Sequence, residues 1–128
     1  PKHFAANNTE LRRQASNSVI DERTLREIYL TGFEIAVKEG DPHSLMTSYN
    51  PLNGKQTATH RELLQNILRD EWGFRGAVIT DCVMACTTNE INRSTLAGND
   101  FQLSYGLLSN LSDEMTNSVS GQAAMPSR

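Results

Sequence analysis

In chains that alternate strands and helices, polar residues just past the C-terminal ends of the strands collect into the site where chemistry is done. Four places in this sequence fit that rule. Asp81 closes the apolar run Gly76-Ala77-Val78-Ile79-Thr80. A carboxylate directly after such a run is costly to desolvate unless it faces a polar pocket, although it could equally cap a following helix. Tyr49 and Asn50 end a second run, Asp100 stands in a weaker third, and Lys2 and His3 sit at the start of the chain. The groups on offer are a carboxylate, an ammonium, an imidazole and a phenol. Lys2 and His3 are adjacent, so along a strand they point to opposite faces unless the chain bends there. Met46, inside the second run, reads as core.

Metal and cofactor chemistry find no support. Cys82 and Cys86 lie four apart, with neither CxxC spacing nor a second cluster, so a zinc site is not expected. They read as reduced thiols beside a buried strand end. No G-x-G-x-x-G follows any strand, which argues against a dinucleotide, and no cofactor is expected.

The elements that must position these groups can be traced from periodicity. Residues 21–39 predict a helix, with Leu25, Ile28, Tyr29, Phe33, Ala36 and Val37 on one apolar stripe, Asp21 and Glu22 at its N-terminal end, and Gly40 to stop it. A strand over 44–49 follows, bounded by Pro42 and by the turn signals Asn50-Pro51 and Asn53-Gly54. A second helix runs from about Thr59 to Glu71 with Leu63, Leu64, Ile67, Leu68 and Trp72 on one face. The strand 76–80 is apolar throughout, as expected for a parallel strand covered on both sides. The two strands start about 32 residues apart, the size of one βαβ unit. A short helix over 84–96, a weak strand at 99–103 and a strand end at 2–6 complete four units. The order implies an α/β fold, either an open doubly wound sheet or part of a (β/α)8 TIM-type barrel, and four units in this space look like half a barrel. Residues 1–106 are read as this half barrel and 107–128 as a terminal helix with a frayed tail.

Composition narrows the partners. The chain has 128 residues, 12 Lys+Arg against 15 Asp+Glu and a formal charge of −3. Such a balance provides no phosphate-binding field, so no nucleic-acid partner is expected. No apolar run approaches a membrane span, and no membrane partner is expected. Apolar residues make up 38%, which implies a thin or shared core. A complete barrel needs roughly 250 residues, and the chain begins at Pro1 instead of Met, so it reads as cut or processed. No compartment follows from it.

Several longer motifs carry a family resemblance. Lys2-His3-Phe4-Ala5-Ala6-Asn7-Asn8, the segment Ile20 to Leu30, Met46-Thr47-Ser48-Tyr49-Asn50 and Asp70-Glu71-Trp72-Gly73-Phe74 resemble family 3 glycoside hydrolases, in the β-glucosidase and β-xylosidase branch. The resemblance covers about residues 1–103 and implies the C-terminal half of the catalytic barrel. It implies that Asp81, in Val78-Ile79-Thr80-Asp81, is the catalytic nucleophile of a retaining β-glycosidase. Lys2 and His3 match the family's pair that holds sugar hydroxyls. Arg13 matches a pocket-lining arginine eleven residues after that lysine, and Met46 and Tyr49 match the residues of the M-x-S-Y-N strand end. On this resemblance Met46 moves from core to pocket.

The implied reaction needs an ionised carboxylate to attack the anomeric carbon and a second carboxyl ~5–5.5 Å away to protonate the leaving oxygen. Cations such as Lys2 and Arg13 would keep Asp81 ionised. The acid/base carboxyl is expected to lie outside this chain, because Glu10, Glu62, Glu71 and Glu90 read as helix or loop surface. Cys82 stands where the family usually has a tryptophan, and Gln102-Leu103-Ser104 replaces a Met-Pro. The reading is therefore a fragment of a retaining enzyme that hydrolyses terminal β-D-glucosyl or xylosyl residues, taking a β-glucoside or oligosaccharide as substrate. The alternatives are a non-catalytic sugar-binding module and a self-associating half barrel, whose open sheet edges favour a homodimer or marginal folding.

Overall fold

The apolar runs predicted as strands become parallel neighbours. In the computed structural model, which describes residues 1–82 and 88–103, strand β1 (Ser44–Met46) pairs in parallel with β4 (Ala77–Ile79). Leu45 lies opposite Val78, and both are buried. The pairing continues outward on each side as single parallel bridges, Phe4 with Thr47 and Ile79 with Phe101. Four segments thus lie side by side in the order Phe4, β1, β4, Phe101. An α/β arrangement with parallel crossovers is what the periodicity implies, although the outer two segments each contribute one paired residue instead of a five-residue strand. The boundary proposed at residue 106 lies outside the described residues, as do Cys86 and the helix read from 107 onward.

The first helix runs without a break through Glu22–Thr24, Leu25–Leu30 and Thr31–Gly40. Asp21 caps it, accepting the Thr24 N–H at 3.0 Å, and Asp41 ends it in the left-handed region at φ 40°. Its middle section, Leu25–Leu30, is a π-type turn, which adds residues per turn and shifts the phase of the apolar stripe. Leu25 and Leu30, five apart, both enter the core as a result. Ile28, placed on the stripe by ordinary 3.6-residue spacing, is 69% exposed.

The second helix, Glu62–Glu71, is also π-type and buries Leu63, Leu64, Ile67 and Leu68. The Nδ1 of buried His60 accepts the Leu63 N–H at 3.3 Å, so an imidazole serves as its cap. Phe4 packs edge-on against Phe33 of the first helix and Trp72 just past the second, with ring centroids 5.0 and 5.9 Å apart. That contact seats the opening segment between both helices. A hairpin not foreseen from sequence, β2 (Pro51–Leu52) with β3 (Lys55–Gln56), closes through Asn53 and Gly54 at φ 49° and 83°. Positive φ at both central residues explains the Asn-Gly pair. A third helix, Thr88–Ala97, precedes Phe101. Among the described residues, no helix is long and apolar enough to cross a membrane.

Candidate active site

Asp81 sits two residues beyond the end of β4, with its side chain 16% exposed. Its Oδ1 accepts the Cys82 N–H at 2.7 Å, and its Oδ2 lies 3.5 Å from Nε2 of His3. These two residues are far apart in sequence, and the sheet brings them together. Phe4 N–H donates to the Met46 carbonyl at 2.8 Å, and Thr47 N–H donates to the Ile79 carbonyl at 2.9 Å. The segment carrying His3 is therefore fixed across β1 to the strand carrying Asp81.

Tyr49 approaches from the loop after β1. Its hydroxyl donates to the carbonyl of Cys82. Burial pushes its phenol up from the ordinary value, the negative charge of Asp81 adds to the shift, and the Arg13 cation opposes it. The Arg13 guanidinium lies 4.2 Å above the centre of the Tyr49 ring and donates to Glu10 Oε2 at 2.9 Å. His3, Arg13, Tyr49 and Asp81 thus converge around the Asp81–Cys82 backbone. The cluster combines a carboxylate, an imidazole and a phenol at a partly open strand end, which suits it to binding hydroxyls and supplying a nucleophilic oxygen.

The remaining candidates are placed differently. Lys2 is exposed, and its neighbour His3 takes the position against the carboxylate. Met46 is half-buried in β1 opposite Ile79, where its backbone fastens the opening segment through Pro1 and Phe4. Asp100, read from sequence as a fourth member of the mouth, is not there. Phe101 pairs with Ile79, which leaves Asp100 level with Val78, three residues short of Asp81. Its Oδ2 instead accepts from Arg69 Nη2 and from the Val78 N–H, both at 2.7 Å.

Asn50, also at a strand end, is buried and structural. Its Nδ2 lies within hydrogen-bond distance of the carbonyls of Ala5 and Ala6, both at 3.2 Å, and so ties the opening segment to the loop after β1. Ser48 and Thr57, to which sequence reasoning assigned no role, complete that attachment: Ser48 Oγ bonds the Ala5 carbonyl and the Thr57 hydroxyl. Two small hydroxyl residues flanking a strand end were the available signal. Glu71 is held by Arg26 on the outer surface and Glu10 by Arg13, in keeping with their surface reading. Among the described residues, no group of three or more His, Cys, Asp or Glu is placed to hold a metal ion.

Comparison with known proteins gives a consistent picture. The family model described as the glycosyl hydrolase family 3 N terminal domain matches residues 1–121. Beta-glucosidase A of Butyrivibrio fibrisolvens is 46% identical over 106 residues, which is 83% of this chain and 12% of that protein. A beta-glucosidase of Rhizobium radiobacter is 51% identical over 70% of this chain and 11% of its own length. Among solved structures, beta-glucosidase 3B from Thermotoga neapolitana in complex with alpha-D-glucose superimposes with a TM-score of 0.81 at 38% identity, covering 94% of this chain and 18% of that one. The beta-glucosidase from Kluyveromyces marxianus in complex with glucose gives 0.84 at 35% identity, covering 97% and 15%. The chain therefore spans about an eighth of the length of the curated relatives it matches. The expected placement in the C-terminal half of the barrel is corrected by the family match, which assigns the chain to the N-terminal domain. Motif order along a chain fixes relative positions but not where the segment falls within a longer fold.

Proposed function

The chain belongs to glycosyl hydrolase family 3, and on that premise we propose that it is part of a retaining β-glycosidase acting on terminal β-D-glucosyl or xylosyl residues, with Asp81 as its nucleophile. One observation carries the reading: Asp81 stands at the open end of a buried parallel strand, with His3 at 3.5 Å and Tyr49 bonded to the carbonyl of the next residue, Cys82. In this reading an Asp81 oxygen attacks the anomeric carbon and the glycosidic oxygen leaves with a proton from an acid elsewhere in the longer protein. Water then cleaves the glycosyl ester and regenerates the carboxylate. His3 and Lys2 grip sugar hydroxyls, and Met46 and Arg13 line the pocket. Tyr49 holds the Cys82 carbonyl, and with it the backbone just after Asp81, while charge develops on the sugar. The four parallel segments are then part of a (β/α)8 barrel.

General acid help is typically worth ~10²–10⁴-fold, so this chain alone is expected to turn over natural β-glucosides negligibly. The test uses a 2-deoxy-2-fluoro glucoside with a very good leaving group, which needs no acid. In the longer protein the reagent should label Asp81, and Asp81→Asn should abolish labelling. Labelling of another carboxylate overturns the assignment, and efficient cellobiose hydrolysis by the 128-residue chain overturns its dependence on an outside acid. A second reading has its own support: Phe101 and Leu103, in the outermost segment of the sheet among the described residues, are exposed, which favours association of copies through that side. Sedimentation showing a monomer with a sharp thermal transition counts against it.

A further inference from the structure

We propose that Arg69 and Asp100 form a clasp that positions Asp81 by fixing β4 along its own axis. The clasp sits at the end of β4 away from the site. Arg69, on the second helix, reaches three acceptors: the carbonyl of Gly76 at 3.3 Å, the carbonyl of Gly98 at 3.1 Å and Asp100 Oδ2 at 2.7 Å. One guanidinium thereby ties the entry to β4 and the entry to the Phe101 segment to the same helix. The planar fork of arginine is suited to this, since its donors point in fixed directions.

Asp100 then locks the register. Its backbone N–H donates to the Val78 carbonyl at 2.9 Å while its carboxylate accepts the Val78 N–H at 2.7 Å. A side chain thus satisfies a strand amide from the same residue whose backbone pairs with that strand. Further along, Thr80 N–H donates to the Phe101 carbonyl and Thr80 Oγ1 accepts the Leu103 N–H at 2.9 Å. Asp81 is the next residue. Only Ile79 and Thr80 separate Val78 from Asp81, and both are pinned by backbone bonds to neighbouring strands, so a shift at Val78 carries directly to the carboxylate.

Arg69 and Asp100 are positioning residues, and their meaning for catalysis rests on the reading of Asp81 as nucleophile. The geometry can be tested without sugar, so the clasp and that reading fail separately: amide exchange tests the first and covalent labelling the second. The reporter is the Cys82 N–H, which Asp81 Oδ1 accepts, and the control is the Leu64 N–H, bonded to the His60 carbonyl at the start of the second helix. In Asp100→Ala, protection at Val78 and Cys82 should fall together by about tenfold or more, as expected for losing a hydrogen bond to a charged group, with Leu64 unchanged. Asp100→Asn, which keeps an acceptor oxygen, should restore both. Should Asp100→Ala not fold, Arg69→Met is read the same way, with a smaller joint loss. Loss at Val78 with Cys82 still protected overturns the clasp, and so does a uniform loss that includes Leu64.

Discussion

Two aspartates on neighbouring strands show how differently one side chain can be employed. Asp100 is the more exposed, at 45% against 16% for Asp81, yet it is the more firmly committed. An arginine and a strand amide hold one of its oxygens at 2.7 Å each. Asp81 is more enclosed, and the Cys82 N–H holds its Oδ1 at 2.7 Å, but its Oδ2 faces an imidazole at 3.5 Å, a longer and weaker contact. Burial does not measure commitment. A carboxylate that must form and release a covalent bond needs neighbours that hold its direction without saturating it, whereas one that staples strands is best saturated.

The sharpest way to test that contrast is to neutralise each carboxylate in turn. Asp81→Asn in the longer protein should lower sugar labelling by about 10⁴-fold or more while leaving thermal stability almost unchanged. Asp100→Asn should change labelling by less than about tenfold, because an amide oxygen still meets the Val78 N–H. Rates of covalent trapping followed by mass spectrometry distinguish the two, and equal losses would erase the difference in role.

Next in size are changes at the clasp end. A Cβ on Gly76 would lie 2.5 Å from the His43 carbonyl oxygen and 2.7 Å from Phe74 Cζ, so Gly76→Ala should destabilise by about 3 kcal/mol in denaturant titration. Arg69→Met should cost about 2 kcal/mol, since it strands three acceptors, whereas Arg13→Met at the mouth should cost under about 1 kcal/mol, its ion pair to Glu10 being exposed. Comparable losses would mean that the mouth is as structural as the clasp.

The smallest effect comes from His60, near neither carboxylate. Burial pushes its imidazole below the ordinary value, and the Lys55 cation adds to that. The unfolded chain therefore binds more protons than the folded one between that lowered value and about pH 6.5. Stability should decline as pH falls through this window and level off below it. Thermal midpoints against pH should show the decline in the parent chain and not in His60→Asn.

What the sequence made legible follows from which signals are local. The parallel pairing of 44–46 with 77–79 was readable because 76–80 is apolar throughout, turn signals bound 44–49, and a helix of the right length separates them. Asp81 was readable because it interrupts such a run. Asp100 was misplaced because its level depends on the partner strand: Phe101 happens to face Ile79, and nothing within 99–103 encodes that. Ile28 was misplaced because a π-type turn changes the helical period without leaving a mark in composition. The hairpin at Pro51–Gln56 escaped because two-residue strands have no period to detect, even though its Asn-Gly turn was plain. Ser48, Asn50 and Thr57 do their work through backbone carbonyls, which side-chain identities do not reveal.

The attachment of the opening segment also orders events in time. Phe4 bonds Met46 and Ser48, and Asn50 reaches back to Ala5 and Ala6, so each of these bonds closes a loop of more than forty residues. Pairing β1 with β4 and capping the second helix span shorter distances and cost less loop entropy, so they come earlier. His3 therefore arrives last. Asp81 waits at the end of its strand through most of folding without an imidazole beside it, and the cluster exists only once the opening segment has docked onto the β1–β4 pair.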